Sequence, residues 1–210
     1  MSLAALKVLY MRAASVVFAL CCRLRGVKMG RGCLLGGMPQ LKLKRGSSLV
    51  LGNEVTLLSK HAYNTLIDRR CSLNLIKPGA SIELGDFSGM SGAKIVCCTR
   101  VRIGEYTMIG ANTTLYDCKQ HDYKPEIGWR SIPELTGAPI TIGKRCFIGM
   151  NCLILKGVTI GDNCVIAAGT TISEDVPAGH LAKGNPAKYY PLSERLRTLP
   201  DGTVLPLGEA

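Results

Sequence analysis

Aromatic side chains make up only 5% of the 210 residues, and Trp occurs once. A surface that binds nucleic acid by stacking bases has little to work with here. No recognised nucleic-acid module accompanies the formal charge of +11, so no nucleic-acid partner is expected. Histidine is scarcer still, with only His61, His121 and His180, far apart in the chain. No C-x-x-C pair occurs among the ten Cys, and no metal site is expected from this spacing. Nor is there a run of about 20 uncharged apolar residues, because Lys7 and Arg12 interrupt the apolar N-terminus. A cleaved signal peptide is also a poor reading, since the basic end follows the apolar run and no small-residue cleavage site is evident.

What the chain has instead is a beat of six. Ile142, Ile148, Ile154, Ile160, Ile166 and Ile172 fall six apart without a slip, and Gly143, Gly149 and Gly161 directly follow three of them. Two residues before each Ile stands a small or β-branched residue: Ile140, Cys146, Cys152, Val158, Cys164, Thr170. Neither a helical period nor a two-residue alternation gives this pattern. A short strand followed by a sharp turn does, with the aliphatic filling the corner of a coil and Gly supplying the turn's unusual backbone angles. Such hexads are the signature of a parallel β-helix. Cys146, Cys152 and Cys164 in the small slot read as compact hydrophobes, and the ten Cys as reduced thiols of a cytoplasmic protein.

Earlier in the chain the beat is looser: Met29, Leu35, Leu41, Leu51, Leu57, Leu84, Met90, Val96, then Ile103, Ile109 and Leu115 after one extra residue. Three hexads per coil give six or seven coils, a prism roughly 30 Å long at the usual strand spacing. Residues 27–180 form this domain. Residues 1–26 form an amphipathic helix with Leu6, Leu9, Ala13, Val16, Val17, Leu20 and Leu24 as its apolar stripe. Two roles stay open for it: lying on an anionic membrane surface, or covering the open end of the prism. Residues 181–210 form a C-terminal cap and loose tail, with a short helix at 191–197. Between Leu115 and Ile140 the beat breaks at length, and a protruding loop at 116–139 holds His121, Asp122, Tyr123, Glu126 and Trp129. A loop this long inside a compact repeat is usually functional.

The Ile-Gly hexads, the long loop with a single His, and the ending VPAGHLAKGNPAK resemble the hexapeptide-repeat acyltransferases. The likeness is nearest to the sugar O-acetyltransferases of the maltose, galactoside, capsule and O-antigen group. It covers 84–190 well, 27–83 loosely, and the N-terminal helix not at all. It implies an all-β, left-handed parallel β-helix, a homotrimer, acetyl-CoA as cosubstrate and a saccharide acceptor, lipid-linked if the helix is a membrane contact. The N-terminal helix, read as a membrane contact, points toward surface-polysaccharide synthesis, with the protein in the cytoplasm or on the inner face of the membrane. An amino-sugar N-acetyltransferase is the enzymatic alternative and a non-catalytic β-helix scaffold the other. A γ-type carbonic anhydrase shares the fold but needs three zinc-binding His per site, which three scattered His do not supply.

Acetyl transfer to a hydroxyl needs a general base, and an imidazole suits the task. His121 stands where the resemblance places the catalytic His. The resemblance further implies an oxyanion-stabilising N–H near Met150, a CoA groove lined by Ala168 and Ser173, and a phosphate contact from Lys188, with Lys183 beside it. Asp117 and Asp122 are candidates for orienting the imidazole, though each reads better as a solvated turn carboxylate. His61 and His180 read as exposed or structural. Glu174, where relatives carry a basic residue, removes one expected phosphate contact, and the change near Ser91-Gly92 counts against simple mono- and disaccharide acceptors.

Overall fold

The computed structural model describes residues 3–208; Met1, Ser2, Glu209, Ala210 and the side chains of residues 3–5, Lys7 and Cys21 lie outside what is described. From Lys28 onward the chain winds as a three-sided prism. Its three walls are parallel sheets of six, eight and six strands, each strand pairing with the one a full coil later. Only the last strand of the second wall, Lys188–Pro191, runs antiparallel to its neighbour.

The large aliphatics stack into a column behind each wall. On the first, Leu51, Leu84, Ile103, Ile142 and Ile160 lie in register. On the second, Leu35, Leu57, Met90, Ile109, Ile148 and Ile166 do so, and on the third Leu73, Ile95, Leu115, Ile154 and Ile172. All are buried, and each such side chain contributes on the order of 1.5–3 kcal/mol of transfer free energy. The third column corrects one expectation: Ile95, not Val96, faces inward, because the turn at Ser91-Gly92 is one residue short and Gly92 takes φ +54°.

The glycines of the Ile-Gly steps serve a different purpose from the one expected. Gly104, Gly143, Gly149 and Gly161 do not have positive φ. A Cβ on Gly104 would lie 2.5 Å from the carbonyl carbon of Gly143, and one on Gly149 or Gly161 would lie 2.5 Å from the amide of Ala168 or Ala178. These glycines let consecutive coils approach at the corner. The left-handed residue comes two positions later and is not glycine: Glu54, Phe87, Tyr106, Asn112, Arg145, Asn151 and Asn163 take φ between +54° and +60°.

The small slot is also more than apolar filling. The thiols of Cys146, Cys152 and Cys164 donate to the carbonyls of Gly161, Ala167 and Pro177 in the next coil, at 3.0–3.2 Å. Thr107 and Thr113 make the equivalent bonds to Gly143 and Gly149 at 2.7 Å. Each of these five turn carbonyls thus finds a buried donor, as a polar group removed from water requires. The nine Cys whose side chains are described are all buried.

Both ends are covered. Helix α1 (Leu3–Leu24) packs on the first coil through Met11, Ser15, Phe18 and Cys22, and Ser15 Oγ accepts from the Leu35 amide at 3.0 Å. The stripe named from sequence faces away, with Leu6, Val16, Leu20 and Leu24 exposed. At the other end the short helix α2 (Glu194–Arg197) precedes a tail that is not loose. Thr198 bridges to Val204, Leu205 donates to the Arg197 carbonyl at 2.9 Å, and Gly208 donates to the Ala178 carbonyl at 2.8 Å.

Candidate functional site

The protruding segment is a β-hairpin rather than an irregular loop. Strands Cys118–Lys124 and Gly128–Gly137 pair antiparallel, with a register shift between Lys119 and His121. It leaves the prism after Thr114–Tyr116 on the third wall and rejoins at Ile140–Ile142 on the first. His121 is exposed, opposite Ser131, and Tyr123 pairs with Trp129, whose rings lie 5.5 Å apart. Two residues apart on a strand means the same face, so His121 shares a face with this aromatic pair and with Ser131. Trp129 is 75% exposed.

A knot of hydrogen bonds holds the hairpin's foot. Asp117 is fully buried, which corrects the reading of it as a solvated turn carboxylate. Its oxygens accept from the Cys98 amide at 2.7 Å, the Thr99 amide at 2.9 Å, Thr99 Oγ1 at 2.7 Å and Cys118 Sγ at 3.0 Å. Burial alone would raise this carboxyl, but the Cys118 thiol and the donors of Cys98 and Thr99 outweigh it and hold it below the usual carboxylate range. Burial pushes the Cys98 and Cys118 thiols up, which keeps them protonated donors. Cys98, Asp117 and Cys118 have ligand atoms within 4.8 Å of one another, but the carboxylate is already saturated with donors. Asp122 pairs instead with Lys119 at 2.8 Å. The hydrogen bonds of both carboxylates run to groups other than His121. Sequence reasoning missed the knot because its members come from separate turns.

Four of the other candidates line one corner of the prism. Met150 and Ala168 lie on successive coils where the second wall turns into the third, and the Gly169 amide donates to the Met150 carbonyl at 2.8 Å. They share an apolar groove of about 460 Å³ with Met108, Phe147, Val165 and Leu181. Where the next coil reaches this corner, Lys183 and Lys188 pair across the last hairpin, and Lys183 Nζ lies 4.6 Å from the Tyr190 ring centroid. Ser173 does not join them within one chain. It lines a separate small cleft with Glu174, Asn185 and Tyr189, at the corner from which the His121 hairpin springs. His180 is buried, its Nδ1 2.9 Å from the Ala178 carbonyl, and His61 is exposed.

A family model described as "Hexapeptide repeat of succinyl-transferase" matches residues 139–174. The chain is 42% identical over 111 residues to nodulation protein L of Rhizobium meliloti (strain 1021), covering 52% of this chain and 59% of that one. It is 49% identical over 88 residues to nodulation protein L of Rhizobium leguminosarum bv. viciae, covering 42% and 45%. The match thus spans less than two thirds of either curated relative. Among solved structures it is similar to AntD, an N-acyltransferase from Bacillus cereus in complex with dTDP and 3-hydroxybutyryl-CoA (TM-score 0.64, 17% identity, 82% and 87% covered). A hexapeptide-repeat acetyltransferase from Vibrio cholerae complexed with acetyl coenzyme A is another (0.55, 22%, 86% and 78%). A maltose O-acetyltransferase from Clostridium difficile 630 is a third (0.53, 17%, 92% and 90%). The chain is a hexapeptide-repeat protein with the left-handed parallel β-helix fold of these acyltransferases.

Proposed function

We propose that this hexapeptide-repeat chain is an acetyl-CoA-dependent O-acetyltransferase acting on a saccharide hydroxyl of a surface polysaccharide or its precursor. One observation carries the reading. A single imidazole stands exposed on a hairpin at one corner of the prism, and the apolar groove lies at another corner. Two corners of one column cannot close on each other, so a neighbouring copy completes the site, as in a homotrimer. The hairpin of one copy then reaches the groove of the next.

The groove suits the pantetheine arm of the donor in size and apolar character. Lys183 and Lys188, at the end of the same corner, suit the phosphates. Beside His121 the exposed Trp129 ring, with Tyr123 tilted 57° against it, offers an apolar surface for the C–H-bearing face of a sugar ring. In the reaction the His121 imidazole takes the proton from the acceptor hydroxyl as its oxygen attacks the thioester carbonyl. The backbone N–H near Met150 steadies the oxyanion. The carbon–sulfur bond breaks, the imidazolium returns its proton to the CoA sulfur, and the products are acetyl ester and free CoA.

The test has two arms. Acetyl-CoA raises the melting temperature if it binds the native state alone, and no rise would favour a non-catalytic scaffold. CoA thiol release is then followed with saccharides that carry hydroxyls but no free amine. Release with these supports O-acetylation; release only with amino sugars replaces it with N-acetylation.

A further inference from the structure

The charge of this chain is not spread along it. Residues 1–53 contain nine Lys and Arg and no Asp or Glu, whereas residues 54–210 together carry only +2. Those first 53 residues are helix α1 and the first coil it covers, together with the start of the second. Eight of the nine cations are exposed, including Arg12 and Arg23 on α1, Arg25 in the turn after it, and Lys28 and Arg31 on the first coil. Among the described residues none of these forms an ion pair, since the four salt bridges use other cations.

Helix α1 is apolar on two opposite sides. At about 100° per residue, Met11, Ser15, Phe18 and Cys22 cluster on the side that packs on the prism. Leu6, Leu9, Val16, Val17, Leu20 and Leu24 cluster about 180° away. All six are exposed, from 52% at Leu6 to 84% at Leu24. A contiguous apolar face of this length, about 33 Å for the 22-residue helix, is uncommon on a free surface.

We propose that this end of the prism docks on an anionic lipid surface. The outer stripe of α1 enters the interface in plane, and the surrounding cations meet the headgroups. Insertion across the bilayer is not an option, because no helix among the described residues is long and apolar enough to span it. Charge argues against a second copy as occupant. Pairing two such ends would set two strongly cationic surfaces face to face, nine Lys and Arg on each against the Glu54 carboxylate beside Gly32.

Co-sedimentation of the full chain with phosphatidylcholine vesicles, with and without phosphatidylglycerol, tests this without any need for turnover, so its outcome is separate from that of the acetyl-transfer reading. Binding is expected to the phosphatidylglycerol vesicles, at least tenfold weaker to phosphatidylcholine alone, and weaker in high salt. The double variant Val17→Glu, Leu20→Glu should lose binding at least tenfold with melting temperature and particle size unchanged; Leu24→Glu is the fallback if the double variant unfolds. Failure of the wild type to sediment at low salt overturns the proposal. So does wild-type binding by the stripe variants, or a smaller particle on substitution, which would place another copy of the chain on the stripe.

Discussion

From Ile140 to Ile172 the chain alternates between side chains locked in the interior and turns pressed against the next coil, with every Ile of the series buried. The hairpin Cys118–Gly137 is the opposite. His121, Tyr123, Ile127 and Trp129 are exposed, and its attachment is concentrated at its foot, in the Asp117 knot and a contact from Lys77. The coil wall repeats because each rung must satisfy the one above it. The hairpin is free of that constraint, so it has room for chemistry. Stability and reactivity are therefore separable by substitution in this protein.

The strongest break falls on the wall. Gly143→Val puts a branched side chain where a Cβ alone would lie 2.7 Å from the Asp162 amide. Backbone cannot yield as a flexible side chain can, so a loss of about 3 kcal/mol or more is expected, seen as a collapse of the urea midpoint. His121→Ala should do the reverse. Acetyl transfer is expected to fall about 10²–10⁴-fold while the melting temperature stays at the wild-type value; an unchanged rate would remove His121 from the reaction.

Asp117→Asn sits at the junction and should touch both regions. It leaves buried amides of Cys98 and Thr99 with a poorer acceptor, for about 1–3 kcal/mol, and loosens the foot of the hairpin. Its pH dependence has a definite sign. The folded carboxyl lies below its ordinary value of 3.8. Its contribution is therefore full above that value and is lost as pH falls through it toward the folded pKa. Acid titration of the Asn variant should lack that component. The smallest effect is expected from Glu134→Ala, which removes the exposed ion pair with Lys77 at 3.2 Å. Exposed pairs contribute a few tenths of a kcal/mol, so the unfolding midpoint should barely move.

Much of the wall was legible in advance. Six Ile in phase, with a small or β-branched residue two places before each, fit a strand-and-turn coil, and the structure follows it. The reason for the glycines was not legible. A Gly that relaxes φ and a Gly that admits a neighbouring coil leave the same letter in a sequence; only the 2.5 Å approach between coils separates them. Placing Ile95 rather than Val96 inside depended on a turn one residue short at Gly92. Either face of α1 would serve as the apolar one, and packing on the first coil selected Phe18 and Cys22.

The candidate site divides in the same way. His121 stood out because it lies in the long break of a strict repeat, where the resemblance places a catalytic imidazole; Met150, Ala168, Ser173, Lys183 and Lys188 were implied by the resemblance alone. That Met150 and Ala168 line one groove while Ser173 faces another follows from how the corners stack. What the amino-acid order determined by itself was the periodic, local part: a residue's slot in a six-residue cycle depends only on its near neighbours. What the tertiary structure alone decided was everything set by contacts between coils: which glycines are needed for clearance, which carboxylate is buried, and which helix face remains bare. Those contacts join residues on different coils, such as Asp117 with Cys98 and Ser15 with Leu35, across a distance that a local pattern does not encode.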